Sequence, residues 1–255
     1  MLSTVNKFEL TEYEYVTPTV TSDDPRMLRA IDGCLGLYEA CYVIGRGFDD
    51  GRHVPNPSSP HPTHLLAALL SSIEALNQWN GKWVLGGGLA MNYHGRERAS
   101  NLITFWLFED KKQLGPVLDE LDRYGVRRHS IDQPSFLPPD NELWWKPLQF
   151  GLPEEAPVDV DLLVASHVFM AFAYASGVES SINGVRVRMV GREALMILKM
   201  RAYRDRDKAD LQDLLRAKPP FDRELVLAWL RKFKIAHRLA EMEALASENG
   251  GRRMG

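Results

Sequence analysis

The chain has 255 residues, 45% of them hydrophobic and 25% charged, the proportions of an ordinary globular protein. Its 31 basic and 34 acidic residues give a formal net charge of −3, which excludes the basic excess of a protein that coats nucleic acid. No apolar run reaches the length of a membrane span, and the early acids with no apolar leader segment point to a cytoplasmic location.

Residues 1–24 alternate polar residues with Phe8, Tyr13 and Tyr15, and read as an edge strand or an ordered arm. Asp24-Pro25 suits a helix start, since proline fits the first turn, and residues 27–44 read as a helix weakened by Gly33 and Gly36. Cys34 and Cys41 lie seven apart, hence on one helix face, and read as reduced core residues. Residues 45–62 hold Pro55, Pro57, Pro60 and Pro62 and read as a linker or long loop. Thr63 is expected to cap the next helix, whose Leu65, Leu66, Leu69, Leu70, Ile73 and Leu76 form one apolar stripe.

Residues 83–85 form a short apolar strand stopped by Gly86-Gly87-Gly88. Residues 89–94 give a turn or two of helix closed by Gly95, and residues 102–108 a β-branched and aromatic strand. A strand that runs into glycines at a helix start offers free backbone N–H groups to an anion, and glycine lets a phosphate approach closely.

Leu114, Val117, Leu118 and Leu121 mark an amphipathic helix over residues 110–124, ended by Gly125. Arg127, Arg128 and His129 read as a solvated strand edge or as a contact near a nucleotide or nucleic acid. Residues 133–141 read as a loop and 143–150 as an aromatic strand, in which Pro147 argues for an edge position. Residues 158–164 form a strand with Asp159 and Asp161 on one face, because they are two apart. These carboxylates are either solvated at a strand start or part of a site, and the apolar run after Asp161 makes it the first choice. An apolar helix over residues 166–176 follows, then an Asn183-Gly184 turn and helices over residues 191–203 and 204–215. One or two more helices cover residues 224–246. On their own, Lys199 reads as a solvated helix lysine and Asp210 as the i,i+4 partner of Arg206.

The stretch GGGLAMNYHGRERAS with its following strand resembles the nucleotidyltransferase superfamily, in particular the abortive-infection (AbiEii-type) toxin and minimal nucleotidyltransferase group. Gly87, Gly88, His94, Gly95, Arg98 and Ser100 fall on that pattern. A second stretch, residues 182–214, places Lys199, Ala202, Arg206, Asp210 and Asp213 in the group's Lys-x-x-Ala and Asp-Leu-x-Asp-Leu order. The resemblance covers residues 63–215. It implies an α/β (α+β) fold, a mixed sheet flanked by helices with a helical C-terminal part. It divides the chain into an N-terminal extension (1–62), a core (63–190) and a C-terminal helical region (191–255). It implies nucleotide contacts from Gly87, Gly88, Arg98, Ser100, Thr104 and Lys199, with Mg²⁺ and an NTP as cofactors of an active enzyme. Its acceptor would be a tRNA or a protein hydroxyl, and its partner an antitoxin.

The pattern breaks where the group's two metal-binding aspartates fall on Leu102 and Thr104, neither of which supplies a carboxylate. Each tenfold in rate is about 1.4 kcal/mol of barrier, so losing both anchors removes most ordinary activity. Three readings follow. A degenerate protein keeps a cleft for a nucleotide, an RNA end or a partner protein, without the chemistry. An active transferase holds its metal on Asp159 and Asp161, with Glu97 or Glu109, and uses Lys199 and Asp210. A scaffold has the old cleft filled by Phe105 and Trp106.

Overall fold

The computed structural model of the protein describes residues 20–44, 47–49, 52–54, 62–96, 100, 102–128, 135–136, 143–151, 157–217 and 220–251. Most of the expected N-terminal arm, Arg98 and Glu97 lie outside these residues.

Helix α1 (Pro25–Ile44) starts at the expected proline, with the Asp24 carboxylate accepting from the Arg26 backbone N–H at 2.9 Å. The stretch expected to be a plain linker instead holds a hairpin, β1 (Gly47–Asp49) and β2 (Arg52–Val54). Asp50-Gly51 falls between these strands in the sequence and is the hairpin signal that the prolines obscured. Helix α2 (Pro62–Trp79) begins at Pro62, so Thr63 lies in its first turn and is not its cap. Proline is favoured there because its missing N–H would have had no helical partner.

Then come β3 (Trp83–Leu85), α3 (Gly87–Tyr93) and β4 (Leu102–Phe108). The expected helix over residues 110–124 is divided into a 3₁₀ turn, Lys111–Gln113, and α4 (Gly115–Arg123). Strands β5 (Val126–Arg128), β6 (Ser135–Phe136), β7 (Trp144–Phe150) and β8 (Val158–Ala165) lead to α5 (Val168–Ala175). The hairpin β9 (Val178–Ile182) and β10 (Val185–Met189) turns at Asn183 and Gly184, both at positive φ. Helices α6 (Arg192–Ala202), α7 (Asp205–Arg216), α8 (Arg223–Lys232) and α9 (His237–Gly251) complete the chain.

The sheet runs β5-β7-β8-β4-β3-β10-β9, with β6 also on β7. The β4–β8 and β3–β10 pairs are parallel and the rest antiparallel, so the sheet is mixed as expected. Strand β7 is not at the edge. It lies between β8 and the β5 and β6 strands, and Pro147 sits where neither β5 nor β6 pairs with it. A residue without an N–H is tolerated inside a sheet where the ladder is interrupted.

Alternation along β4 and β8 sets two faces. Ile103, Phe105 and Leu107 are buried on one side of β4, as are Val158, Val160 and Leu162 on β8. Helix α2 lies on that side, where Leu65, Leu66 and Leu69 approach Ile103. Helix α5 covers part of the other side, with Phe169 6.5 Å from Trp106. Phe169 also meets Trp229 and Phe233 of the α8 segment edge-on, at 5.5 and 5.7 Å. The α1 residues Met27, Ala30, Ile31 and Cys34 join the same core. Cys34 is a buried free thiol as expected; the side chain of Cys41 lies outside the described residues. No helix of the described residues is long and apolar enough to cross a membrane.

Phe105 is fully buried at the centre of the sheet. Phe105→Ala should therefore cost about 3–5 kcal/mol of stability, read from the urea midpoint at unchanged slope.

Candidate functional site

The glycine run is explained first by packing. Gly86 ends β3 and donates its N–H to the Thr104 carbonyl oxygen at 2.8 Å. A Cβ on Gly86 would lie 2.5 Å from Trp106 Nε1, and one on Gly88 would lie 2.6 Å from Ser100 Oγ. A Cβ on Gly87 would lie 2.7 Å from Thr104 Oγ1, and its φ of +63° is the left-handed region that glycine adopts freely. The glycines thus let the start of α3 sit directly on one face of the β4 segment, the face of Ser100, Thr104 and Trp106. Helix α3 begins at Gly87, two residues earlier than its apolar pattern suggests.

Strand β8 runs parallel to β4 with Leu102 beside Asp159 and Thr104 beside Asp161. Strand β7 adds Gln149 beside Asp159, Pro147 beside Asp161 and Trp145 beside Leu163. The face therefore has three rows across strands spaced about 4.8 Å apart. The row of Trp106 and Leu163 is buried under α5. The other two rows are half-open, with Leu102, Thr104 and Asp161 half-buried and Asp159 exposed. Gly87 is half-buried at their margin.

Asp159 accepts from Gln149 Nε2 at 3.1 Å. Burial pushes the Asp161 carboxyl up to about 6, the Asp159 charge adds to the rise, and a hydrogen bond from the Trp145 side chain opposes it. Desolvation disfavours an ionised carboxylate that has no cation beside it.

The residues present do not fit a two-metal centre. Leu102 and Thr104 offer no carboxylate on β4, and among the described residues no group of three or more His, Cys, Asp or Glu is placed to hold an ion. Glu109 follows the far end of β4, about 17 Å along the strand from Thr104 at 3.3 Å per residue. It accepts there from the Asp110 N–H at 2.7 Å, away from Asp159 and Asp161. What remains is a pair of same-face carboxylates on β8.

Lys199 and Asp210 are brought together, but in a separate cluster at the other end of α3. The Lys199 Nζ pairs with Asp210 and lies 3.3 Å from Asp207. Arg96, just after α3, pairs with Asp210 at 3.0 Å and with Asp213 at 2.8 Å. Lys199 is therefore not a solvated helix lysine: its side chain is 12% exposed and its charge is offset by aspartates. The Asp210 carboxylate is fully buried, and Lys199 and Arg96, from other parts of the chain, both form ion pairs with it. Burial opposes ionisation of Asp207, but Arg204 and Lys199 outweigh it and hold this carboxyl below the usual range. Arg127 lies at the sheet edge, exposed, 3.3 Å from Asp122.

Three residues that shape these clusters carried no sequence signal as site groups. Trp145 and Gln149 reach the carboxylates only through strand pairing, and Arg96 is one of several basic residues after Gly95.

A family model described as "Nucleotidyl transferase of unknown function (DUF2204)" matches residues 171–246, under a third of the chain. That stretch includes Lys199, Asp207 and Asp210 but neither the glycine turn nor β4 and β8. No curated protein matches the chain. Among solved structures, JHP933 from Helicobacter pylori is 13% identical, with 75% of this chain and 94% of that one covered and a TM-score of 0.41. The antibiotic-resistance factor ANT(2'')-Ia in solution is 15% identical, with coverages of 73% and 98% and a TM-score of 0.43. An antigenic nucleotidyltransferase-like protein from Paracoccidioides brasiliensis is 13% identical, with coverages of 71% and 92% and a TM-score of 0.42.

A protonated Asp161 is favoured in the folded state relative to the unfolded chain, so its burial lowers stability as pH rises from about 4 through about 6. Asp161→Asn should gain at most about 3 kcal/mol over the parent above that window, shrinking to nothing below about pH 4. Paired urea titrations at pH 4 and pH 7.5 measure the difference. Gly88→Ala should destabilise the fold through its contact with Ser100, and Ser100→Gly in the same chain should recover most of the loss.

Proposed function

We propose that this protein is nucleotidyltransferase-like and binds a nucleotide or an RNA end at the glycine turn without ordinary two-metal catalysis. The observation that carries the reading is the β4–β8 register, which sets Leu102 and Thr104 beside Asp159 and Asp161 next to Gly87. Two-metal transfer relies on carboxylates to hold the ions that neutralise the phosphates. Here β4, one of the two adjacent strands, carries none on this face. Two separate parts of the chain favour this family: the glycine stretch by its resemblance, and residues 171–246 by the matching family model.

The ligand's contacts come from Gly87 and Gly88, from Ser100 and Thr104, and from the half-open rows of the sheet face. The Asp159 and Asp161 charges work against an anionic ligand in the absence of a cation. Metal-free affinity should therefore rise as pH falls through about 6, where Asp161 gains its proton.

A second reading is favoured by one specific feature. Asp159 and Asp161 share a face, and their neighbours on it, Gln149 and Trp145, are neutral donors. Magnesium is commonly held by one or two carboxylates together with substrate phosphates. On this reading the protein is an NTP-dependent transferase acting on a tRNA or a protein hydroxyl, with an antitoxin as partner.

Calorimetric titration of each NTP, with and without Mg²⁺, separates the two. Binding that changes less than about twofold on adding Mg²⁺ is expected, as is a new Mg²⁺ dependence in the double variant Leu102→Asp, Thr104→Asp. Mg²⁺-dependent binding by the parent chain that Asp159→Asn abolishes would establish the second reading instead. No heat and no thermal shift with any nucleotide would remove both.

A further inference from the structure

Helix α3 has seven residues, too few to hold its own orientation, since a short isolated helix is marginal in water. Packing buries it from Gly88 to Tyr93, and its C-terminal end is further tied at three residues. The Tyr93 hydroxyl donates to Asp24 Oδ2 at 2.7 Å, ahead of α1. His94 Nε2 lies 2.8 Å from the Val190 carbonyl oxygen, at the end of β10. Arg96 supplies the tie to α7, through Asp210 and Asp213. Asp210 in turn is held by Lys199 from α6. The glycine turn is at the opposite end of α3, so a rotation of this short rod moves the turn against Ser100 and Thr104.

We infer that Arg96 is a positioning residue for the glycine turn, and that Lys199 and Asp210 act on the site through Arg96 and not by touching the ligand. This rests on the reading above that the glycine turn is the ligand site. The chemistry suits the role. A guanidinium is planar and rigid, so it holds two carboxylates in a fixed relation more firmly than a lysine ammonium, which meets them as a point charge on a flexible stem. Asp210 is fully buried, so its position is fixed by packing as well as charge. Asp213 is 43% exposed and gives the bridge a second arm that can be removed without emptying the buried pair.

The test uses the full chain and four variants: Arg96→Met, Arg96→Lys, Asp213→Asn and Lys199→Met. Two readouts are taken on each, nucleotide affinity by calorimetry and hydrogen exchange at the α3 amides. Arg96→Met and Lys199→Met should weaken binding by about fivefold or more. The same variants should speed exchange at residues 90–94 while leaving α8 and α9 unchanged. Asp213→Asn should give a smaller change of the same kind, and Arg96→Lys should recover part of both. A merely stabilising role predicts a lower melting temperature with exchange raised across the whole chain, and that result overturns the inference. Loss of affinity in Lys199→Met with unaltered α3 exchange also overturns it, because Lys199 would then meet the ligand itself. If the parent chain binds no nucleotide, the functional reading fails alone. The exchange data still decide the inference, and unaltered α3 exchange in Arg96→Met sinks it.

Discussion

Close approach between the glycine run and β4 is the constraint on which the rest of the site depends. Three successive positions have no room for a Cβ, because Trp106, Thr104 and Ser100 stand directly beneath them. The same contact that requires glycine also brings the start of α3 against a strand face that is half-open at Leu102 and Thr104. The residues of the proposed ligand site are thus the same residues that meet a packing requirement. The glycines alone therefore say little about function, and the neighbouring strand carries the argument.

Strand β8 holds Asp159 and Asp161 one strand away from Leu102 and Thr104, the positions to which the resemblance assigns metal-binding aspartates. The parallel register makes the displacement a matter of about 4.8 Å, the spacing between strands. The consequence is electrostatic. Asp161 is half-buried beside another carboxylate, and its proton is held to about pH 6. A carboxylate kept in this condition costs folding free energy at neutral pH.

The cluster of Lys199, Asp207, Asp210 and Arg96 has the opposite character. Its charges are matched, and Asp210 is fully buried. Buried ion pairs add little net stability, because desolvation offsets the attraction, but breaking one side of such a pair is costly. These pairs join α6 and α7 to Arg96, which follows α3. The family model covers Lys199, Asp207 and Asp210 and not the glycine turn, and Arg96 joins that region to the end of α3.

The sequence by itself determined most of the long helices and strands, the glycine turn and the same-face pair of Asp159 and Asp161. Each of these follows from periods of two or 3.6 residues, or from residues with special backbone freedom, and such signals are local. The hairpin at β1 and β2 was hidden by nearby prolines, and Pro147 was misplaced at an edge because one residue cannot reveal a gap between two outer strands. Only the tertiary structure decided that Asp161 stands beside Thr104 and Trp145, and that Lys199 is spent on Asp207 and Asp210. Those contacts join residues far apart in the chain. Strand register and helix packing set them, and no spacing along the sequence encodes either.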